Sequence, residues 1–201
     1  MKKHWKAFLY AFLVLLALWR SFDLRWLSDD AFITFRYVQN IHAGLGVVYN
    51  PGERVEAYTH PLWLATLSVL STKHLAPEDI SIGLGLTAYV GVLVLMLLWS
   101  WHLKGGWLAI GAIALGINYD FAVWATGGLE TMAFTLAILS AAYITLRMDR
   151  PILLGSVLTA ATLLRPDGIV FYVAFFLWLL IKRQAAWKML LPGVVLLAHE
   201  Y

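Results

Sequence analysis

Residues 80–103, ISIGLGLTAYVGVLVLMLLWSWHL, decide the class of fold to which this chain belongs. The stretch contains no Asp, Glu, Lys or Arg, and as a helix it measures about 36 Å at ~1.5 Å per residue. That length exceeds the ~30 Å thickness of the hydrocarbon core of a bilayer. The sequence therefore predicts a membrane-crossing helix, closed at one end by Trp99, Trp101 and Lys104, residue types that favour the interface.

The composition of the whole chain agrees with this class. Of its 201 residues 61% are apolar and 13% are charged, whereas soluble domains have about 45–50% and about 25%. The net charge of +3 is small and dispersed, so nucleic acid is not expected as a partner. The absence of cysteine excludes disulfides and thiolate chemistry, and the six histidines form no pair with zinc-ligand spacing.

Six further apolar segments accompany residues 80–103. The first, 7–19, follows Lys2, Lys3 and Lys6 and is not followed by a small-residue cleavage site, so it is interpreted as an uncleaved span with the N-terminus inside. The sequence predicts an all-α, polytopic membrane protein with about seven transmembrane helices in a single transmembrane domain, 1–201. The other five segments are 107–125 (interrupted by Asp120), 131–146, 151–164, 168–181 and 189–198.

The orientation of the spans depends on residues 61–75. This run measures only about 22 Å as a helix, so it is predicted to lie at the interface rather than to cross. The first extracytoplasmic loop then extends from 23 to 79, and the basic clusters fall on the cytoplasmic side, as the positive-inside rule requires. A bacterial plasma (inner) membrane is the expected location. Asp29, Asp30, Glu130 and Asp167 are among the acidic residues that then fall on the outer side.

The first loop is predicted to be structured, with helices close to the membrane. Ser28 or Asp29 is a suitable cap for a helix over 30–43, and Gly44 stops that helix. A turn follows at 50–53, and Pro61 suits the first position of the next helix. Asp29 and Asp30 therefore lie at the outer aqueous edge, either as solvated residues at a helix start or as functional carboxylates.

Four segments, taken in order, resemble the multi-pass glycosyltransferases with the GT-C fold. They are DDAFITFRYVQN (29–40), AGLGVVYNPGERVEAYTHPLW (43–63), TGGLETMAF (126–134) and LLRPDG (163–168). The likeness is greatest to bacterial members that use polyprenyl-phosphate sugars, including arabinofuranosyltransferase-like enzymes. Those enzymes have further spans and a C-terminal soluble domain, so we expect this chain to be an N-terminal module or a truncated form.

The resemblance implies transfer of a sugar from a polyprenyl-phosphate donor to an extracytoplasmic glycan, lipid or protein acceptor. In the family an acidic residue of the first loop is the catalytic base, and this role is carried to Asp29, with Asp30 as the alternative. A second acidic residue near the donor or a metal corresponds to Glu130, for which a helix-cap role is the alternative. The cofactor is left open, with Mg²⁺ or Mn²⁺ held by Asp29 and Glu130 as the candidate.

The remaining candidate residues are cationic, hydrogen-bonding or aromatic. Arg165 and Asp167 are candidates for the donor phosphate region, and a surface ion pair is the alternative. Arg54 and His60 are further donor-side candidates. Arg36, Tyr58 and Trp63 are candidates for contacts to acceptor or sugar, and loop-pinning or interface-anchoring roles are the alternatives for these residues.

A non-enzymatic polytopic protein, such as a transporter or flippase subunit or a scaffold, is the second functional interpretation. Such proteins usually carry ionisable residues in the middle of their spans. Here most carboxylates are grouped in outer loops and the clear spans are nearly uncharged, with Asp120 as the one exception within an apolar segment. This distribution favours the glycosyltransferase.

Overall fold

The computed structural model describes residues 2–53, 55, 58–102 and 107–198. Over these residues the regular structure is helical, apart from one isolated bridge between Thr72 and Leu75. The prediction of an all-α chain is confirmed. The helices are α1 (Lys2–Asp23), α2 (Asp29–His42), α3 (Pro61–Leu70), α4 (Pro77–His102), α5 (Trp107–Ile117), α6 (Tyr119–Trp124), α7 (Thr131–Arg147), α8 (Pro151–Leu164), α9 (Gly168–Ile181) and α10 (Leu190–Ala198), with a 3₁₀ turn (Ala186–Met189) before α10.

Two of the described helices are long and apolar enough to cross a membrane. The qualifying segments are Trp5–Asp23 in α1 and Pro77–Trp101 in α4. Helices α3, α7, α8 and α9 are apolar but have only 10–17 residues. A 14-residue helix such as α8 measures about 21 Å at ~1.5 Å per residue, less than the ~30 Å hydrocarbon core. The two long helices suggest membrane association, and the seven-span topology stays a prediction.

Several helix boundaries agree with the sequence analysis, and others differ. Helices α8 and α9 begin and end where their apolar runs do. The run 107–125 breaks at Asn118, where the side chain accepts a hydrogen bond from the backbone N–H of Phe121 at 2.7 Å. Asn118 thus caps a new helix that includes Asp120, the charged residue within this apolar run. Helix α3 ends at Leu70, before Ser71, Thr72 and Lys73 of the predicted 61–75 segment.

The start of α2 differs from the prediction in its hydrogen bonding. Ser28 occupies the N-cap position in extended conformation, but its side chain makes no capping hydrogen bond. Instead its backbone N–H donates to the carbonyl oxygen of Gly127 at 2.9 Å. The beginning of the first loop is thus tied to the loop before α7. At the other end of α2, Gly44 has a φ of 74° and stops the helix as predicted.

The apolar core consists of three clusters of buried side chains, which together hold the loops in place. The first joins α2 and α3 to the C-terminal end of α8 through Phe35, Leu67 and Leu164. The second joins α7, α8, α9 and the 3₁₀ turn, and the third joins α1, α4 and α7. Full burial of a side chain such as Phe35 contributes about 1.5–3 kcal/mol.

Helix α8 connects the first apolar cluster to the second. It packs against α7, α9 and α10 along its length. Its C-terminal end, at Leu164, belongs to the first cluster beside α2 and α3, whereas Leu154 near its start belongs to the second. The residues that follow Leu164 are therefore brought close to the first loop.

Candidate functional site

A cavity of about 470 Å³ lies where four segments of the chain meet. These segments are the first turns of α2, the residues just before α3, the residue before α7 and the turn between α8 and α9. Ile33, Leu129 and Pro166 form the apolar part of the lining. The polar residues of the lining are Asp30, Thr34, Thr59, His60, Glu130, Arg165 and Asp167.

Glu130 is the buried carboxylate of this cavity. It occupies the N-cap position of α7, yet its side chain makes no capping hydrogen bond. The side chain is 8% exposed, and its Oε2 atom accepts no hydrogen bond from the described residues. Desolvation by this burial raises the pKa of Glu130, while its own backbone N–H and the nearby Arg165 act in the opposite direction. Glu130 thus occupies the helix-cap position that the sequence analysis named as the alternative to a site near the donor. Its carboxyl lies at the cavity.

The loop before α7 is fixed by α2 and α3. The indole N–H of Trp63 donates to the carbonyl oxygen of Gly128 at 3.1 Å. Gly128 has a φ of 83°, and a Cβ atom there would lie 2.7 Å from the Cβ of Ala31 and 2.9 Å from Leu27. Because glycine alone fits this close approach, the sequence Gly-Gly-Leu-Glu brings Glu130 against the first loop.

His60 connects the first loop to Glu130. Its Nδ1 atom lies 3.5 Å from Oε2 of Glu130, and its Nε2 atom lies 2.7 Å from Oγ1 of Thr34. Burial, followed by the positive charge of Arg165, lowers the pKa of His60. The short distance alone suggests an ion pair, but both pKa directions favour the uncharged forms. We therefore describe the contact as one between a neutral imidazole and a carboxyl.

The order of hydroxyl, imidazole and carboxyl at Thr34, His60 and Glu130 is that of nucleophilic triads in hydrolases. Thr34 is fully buried in α2, however, and its hydroxyl is not accessible to a substrate. These contacts therefore hold His60 in place and do not form an accessible nucleophile.

Arg165 is the cation of the cavity. Its Nη2 atom lies 3.2 Å from Oδ2 of Asp167, and its Nη1 atom lies 3.9 Å from Oε1 of Glu130. The guanidinium also lies over the ring of Phe134, 5.6 Å from its centre. The side chain is 39% exposed and ends the α8 helix as its C-cap residue. A partly solvated guanidinium in this position is suited to an oxygen-rich anion.

The two neighbouring aspartates of the first loop occupy different positions. Asp30 lines the cavity together with Ile33 and Thr34, which lie three and four residues further along the same helix face. Asp29 is exposed and is not among the lining residues. Successive helix residues differ by about 100° in direction, and this separates the two carboxylates.

Three other predicted site residues do not contribute to the cavity, and a fourth cannot be placed relative to it. Arg36 is exposed on another part of α2, and Arg54 lies outside the described residues. The ring of Tyr58 packs against Tyr37 with centres 5.2 Å apart. Trp63 is 3% exposed and belongs to the first apolar cluster, so its indole supports the loop and is not available for stacking on a sugar.

Thr34 and Thr59 line the cavity but were not predicted. Thr34 follows Asp30 by one helical turn, so the spacing in the sequence is a signal that indicates a shared face. Thr59 precedes His60 in a segment without regular periodicity, and no such signal points to it.

The described residues contain no group of three or more His, Cys, Asp and Glu side chains arranged to hold a metal ion. Asp30, Glu130 and Asp167 are the carboxylates that line the cavity. Asp29, which was predicted as a metal ligand together with Glu130, lies outside that lining.

Two curated proteins are similar to part of this chain, and both are named terminal beta-(1->2)-arabinofuranosyltransferase. The protein from Corynebacterium glutamicum is 35% identical over 122 residues, which cover 57% of this chain and 17% of the relative. The protein from Mycobacterium tuberculosis is 49% identical over 51 residues, which cover 25% of this chain and 8% of the relative. The chain thus spans less than a fifth of the length of these relatives. No family model and no solved structure matches the chain.

Proposed function

We propose that this chain carries the active site of a membrane glycosyltransferase of the arabinofuranosyltransferase type. The enzyme moves a sugar from a polyprenyl-phosphate donor to an extracytoplasmic glycan, lipid or protein acceptor. Partial similarity to two arabinofuranosyltransferases supports the transfer of a sugar. The observation that carries the proposal is the cavity that brings Asp30, Glu130 and Arg165 together from three separate segments.

Asp30 is the carboxylate that we assign as the general base. It is exposed at the cavity, so an acceptor hydroxyl can reach it, whereas Asp29 does not line the cavity. The base takes the hydroxyl proton while the acceptor oxygen bonds to the anomeric carbon of the donor sugar. The bond between that carbon and the phosphate oxygen breaks, and the polyprenyl phosphate leaves with the electron pair.

Arg165 is the group that we assign to the departing phosphate. Its side chain is 39% exposed beside the cavity, although Nη2 pairs with Asp167 and Nη1 lies 3.9 Å from Oε1 of Glu130. Negative charge at Glu130 would oppose binding of a phosphate. Because burial raises the pKa of Glu130, the protonated form of this carboxyl is favoured and the opposition is reduced.

The membrane location fits a lipid-linked donor. Of the helices that the structure describes, α1 and α4 contain segments long enough to cross a bilayer, and α1 ends shortly before Asp30. Under the positive-inside orientation the cavity faces the extracytoplasmic side of the plasma membrane. A polyprenyl chain in the bilayer can then present its sugar at the surface where the cavity opens.

A divalent metal receives limited support from the residues present. The buried Oε2 atom of Glu130 is a hard oxygen ligand without a hydrogen bond from the described residues. No three potential ligands converge around it within the part of the chain that the structure describes. We therefore assign no chemical step to a metal.

The proposal is tested by comparing Asp30→Asn with Asp29→Asn in membranes that contain the chain. The substrates are polyprenyl-phosphate arabinofuranose and an arabinan oligosaccharide. Loss of a general base lowers transfer by about 10²–10⁴-fold, so we expect this loss for Asp30→Asn and less than a tenfold change for Asp29→Asn. Each substitution removes one exposed carboxylate, and helicity by circular dichroism verifies folding.

Retained activity in Asp30→Asn would remove Asp30 from the mechanism. Lipid or sugar flux across liposomes without any transfer would favour a transporter or flippase subunit instead.

A further inference from the structure

A second polar cavity, of about 770 Å³, lies at the other end of α8 and α9 from the candidate active site. It is formed where the turn between α7 and α8 meets the turn after α9. Helix α8 leads from this cavity to Arg165, about 21 Å away at ~1.5 Å per residue. The two cavities therefore open at opposite ends of the same helices.

The charge of this second cavity is predominantly positive. Among the described residues, Arg150, Arg183 and Lys188 line it together with a single carboxylate, Asp149. All four residues are exposed. In the part of the chain that the structure describes, none of the three cations forms an ion pair. The cations therefore remain available to an external anion.

Neighbouring side chains give the cavity the character of a membrane interface. Trp187 is 61% exposed, and the Nζ atom of Lys188 lies 5.7 Å from its ring centre. Ile152 and Leu153, which line the cavity, are also exposed apolar residues. Tryptophan and lysine favour the boundary between lipid and water, where apolar side chains meet acyl chains.

We propose that this cavity binds the phosphate of an anionic lipid headgroup at the membrane face opposite the candidate active site. Three unpaired cations supply the attraction for the phosphate, and the exposed apolar residues contact the upper part of the acyl chains. Basic pockets between helices at the cytoplasmic surface are suited to such headgroups. The inference stands on the residues of this cavity and does not depend on the proposed glycosyl transfer.

The binding test uses the full chain in a neutral detergent, with phosphatidylglycerol as the probe and phosphatidylcholine as the uncharged reference. Native mass spectrometry counts the bound lipids. Each basic residue near an anionic surface contributes about fivefold in affinity, so the double variant Arg150→Gln with Lys188→Gln is expected to lose about 25-fold. The matched control is Lys182→Gln, because Lys182 is exposed but does not line the cavity.

Arg183 offers a variant that separates binding from folding. Its φ of 54° lies in the left-handed region, where glycine is favoured over arginine. Arg183→Gly therefore removes one cation and relieves the backbone, so the thermal midpoint should stay equal or rise. We expect binding of phosphatidylglycerol to fall about fivefold in this variant.

Two results would overturn the proposal. One is retention of phosphatidylglycerol by the double variant and by Arg183→Gly at the level of the control. The other is displacement of the lipid by inorganic phosphate at equal concentration, because the cavity would then serve a soluble phosphate and not a lipid. Selective loss in the cavity variants, without competition by inorganic phosphate, supports the proposal.

Discussion

The imidazole Nδ1 of His60 lies 3.5 Å from the carboxyl Oε2 of Glu130, although the two residues belong to different loops. Burial lowers the pKa of His60 and raises the pKa of Glu130, so it disfavours the charged form of both groups. Attraction between opposite charges is therefore weakened at this contact. The packing of α2, α3 and α7 around the pair holds it together.

The raised pKa of Glu130 gives the variant Glu130→Gln a pH-dependent stability. A carboxyl whose pKa is higher in the folded state stabilises the fold below its ordinary value of 4.5, and this contribution is lost as pH rises through the folded value. We therefore expect the thermal midpoint of Glu130→Gln to rise relative to the wild type as pH increases above 4.5. Thermal scans of the purified protein in detergent measure the difference.

The control is Asp29→Asn, which removes the negative charge of an exposed carboxylate. A difference between Glu130→Gln and the wild type that is constant with pH would contradict the assignment of a desolvated carboxyl.

The lowered pKa of His60 predicts the opposite dependence on pH. An imidazole that is harder to protonate in the folded state stabilises the fold above its ordinary value of 6.5, and this contribution is lost as pH falls through the folded value. The wild type should lose stability relative to His60→Gln when pH decreases below 6.5. Chemical unfolding at a series of pH values, followed by tryptophan fluorescence, measures this change, and an unchanged difference would show that His60 is not desolvated.

Gly128→Ala is expected to destabilise the protein through two effects. The φ of 83° costs about 1–2 kcal/mol for a residue with a Cβ, and the added methyl would meet Ala31 and Leu27 at less than 3 Å, which adds about 1–3 kcal/mol. The matched control is Gly52→Ala, where φ is 88° and a Cβ meets nothing within 4 Å.

Thermal unfolding of the two glycine variants separates these effects. Gly52→Ala should show only the cost of the backbone, and Gly128→Ala should show both. Equal losses of stability in the two variants would mean that the loop before α7 is not packed tightly against α2.

Trp63→Phe tests the hydrogen bond that joins α3 to the same loop. The substitution leaves the buried carbonyl oxygen of Gly128 without its donor, and an unsatisfied buried polar group costs about 1–3 kcal/mol. We expect a lower thermal midpoint together with lower sugar transfer, because Glu130 follows this loop. Trp187→Phe, at an exposed tryptophan, is the control and should change the midpoint little. If Trp63→Phe and Trp187→Phe unfold at the same temperature, the hydrogen bond from Trp63 to Gly128 contributes nothing to stability.

Most helix boundaries were predictable because their signals are local. The apolar runs of α8 and α9 begin at Pro151 and Gly168, and both helices have the predicted bounds. The signal at Asn118 is also local, since asparagine is a favoured N-cap residue, but the sequence analysis treated 107–125 as one segment. The lengths of the short helices leave the number of spans undecided, because length alone does not determine how a helix lies in a bilayer.

The sequence by itself determined that the chain is helical, that residues 80–103 suit a membrane and that acidic residues gather in particular loops. These properties depend on composition and on spacing within single segments. Only the tertiary structure decided that Asp30 and not Asp29 lines the cavity, that Trp63 belongs to the core and that His60 meets Glu130. The reason is physical: the direction of one side chain on a helix, and the burial of another between loops, depend on packing between segments that are far apart in the chain.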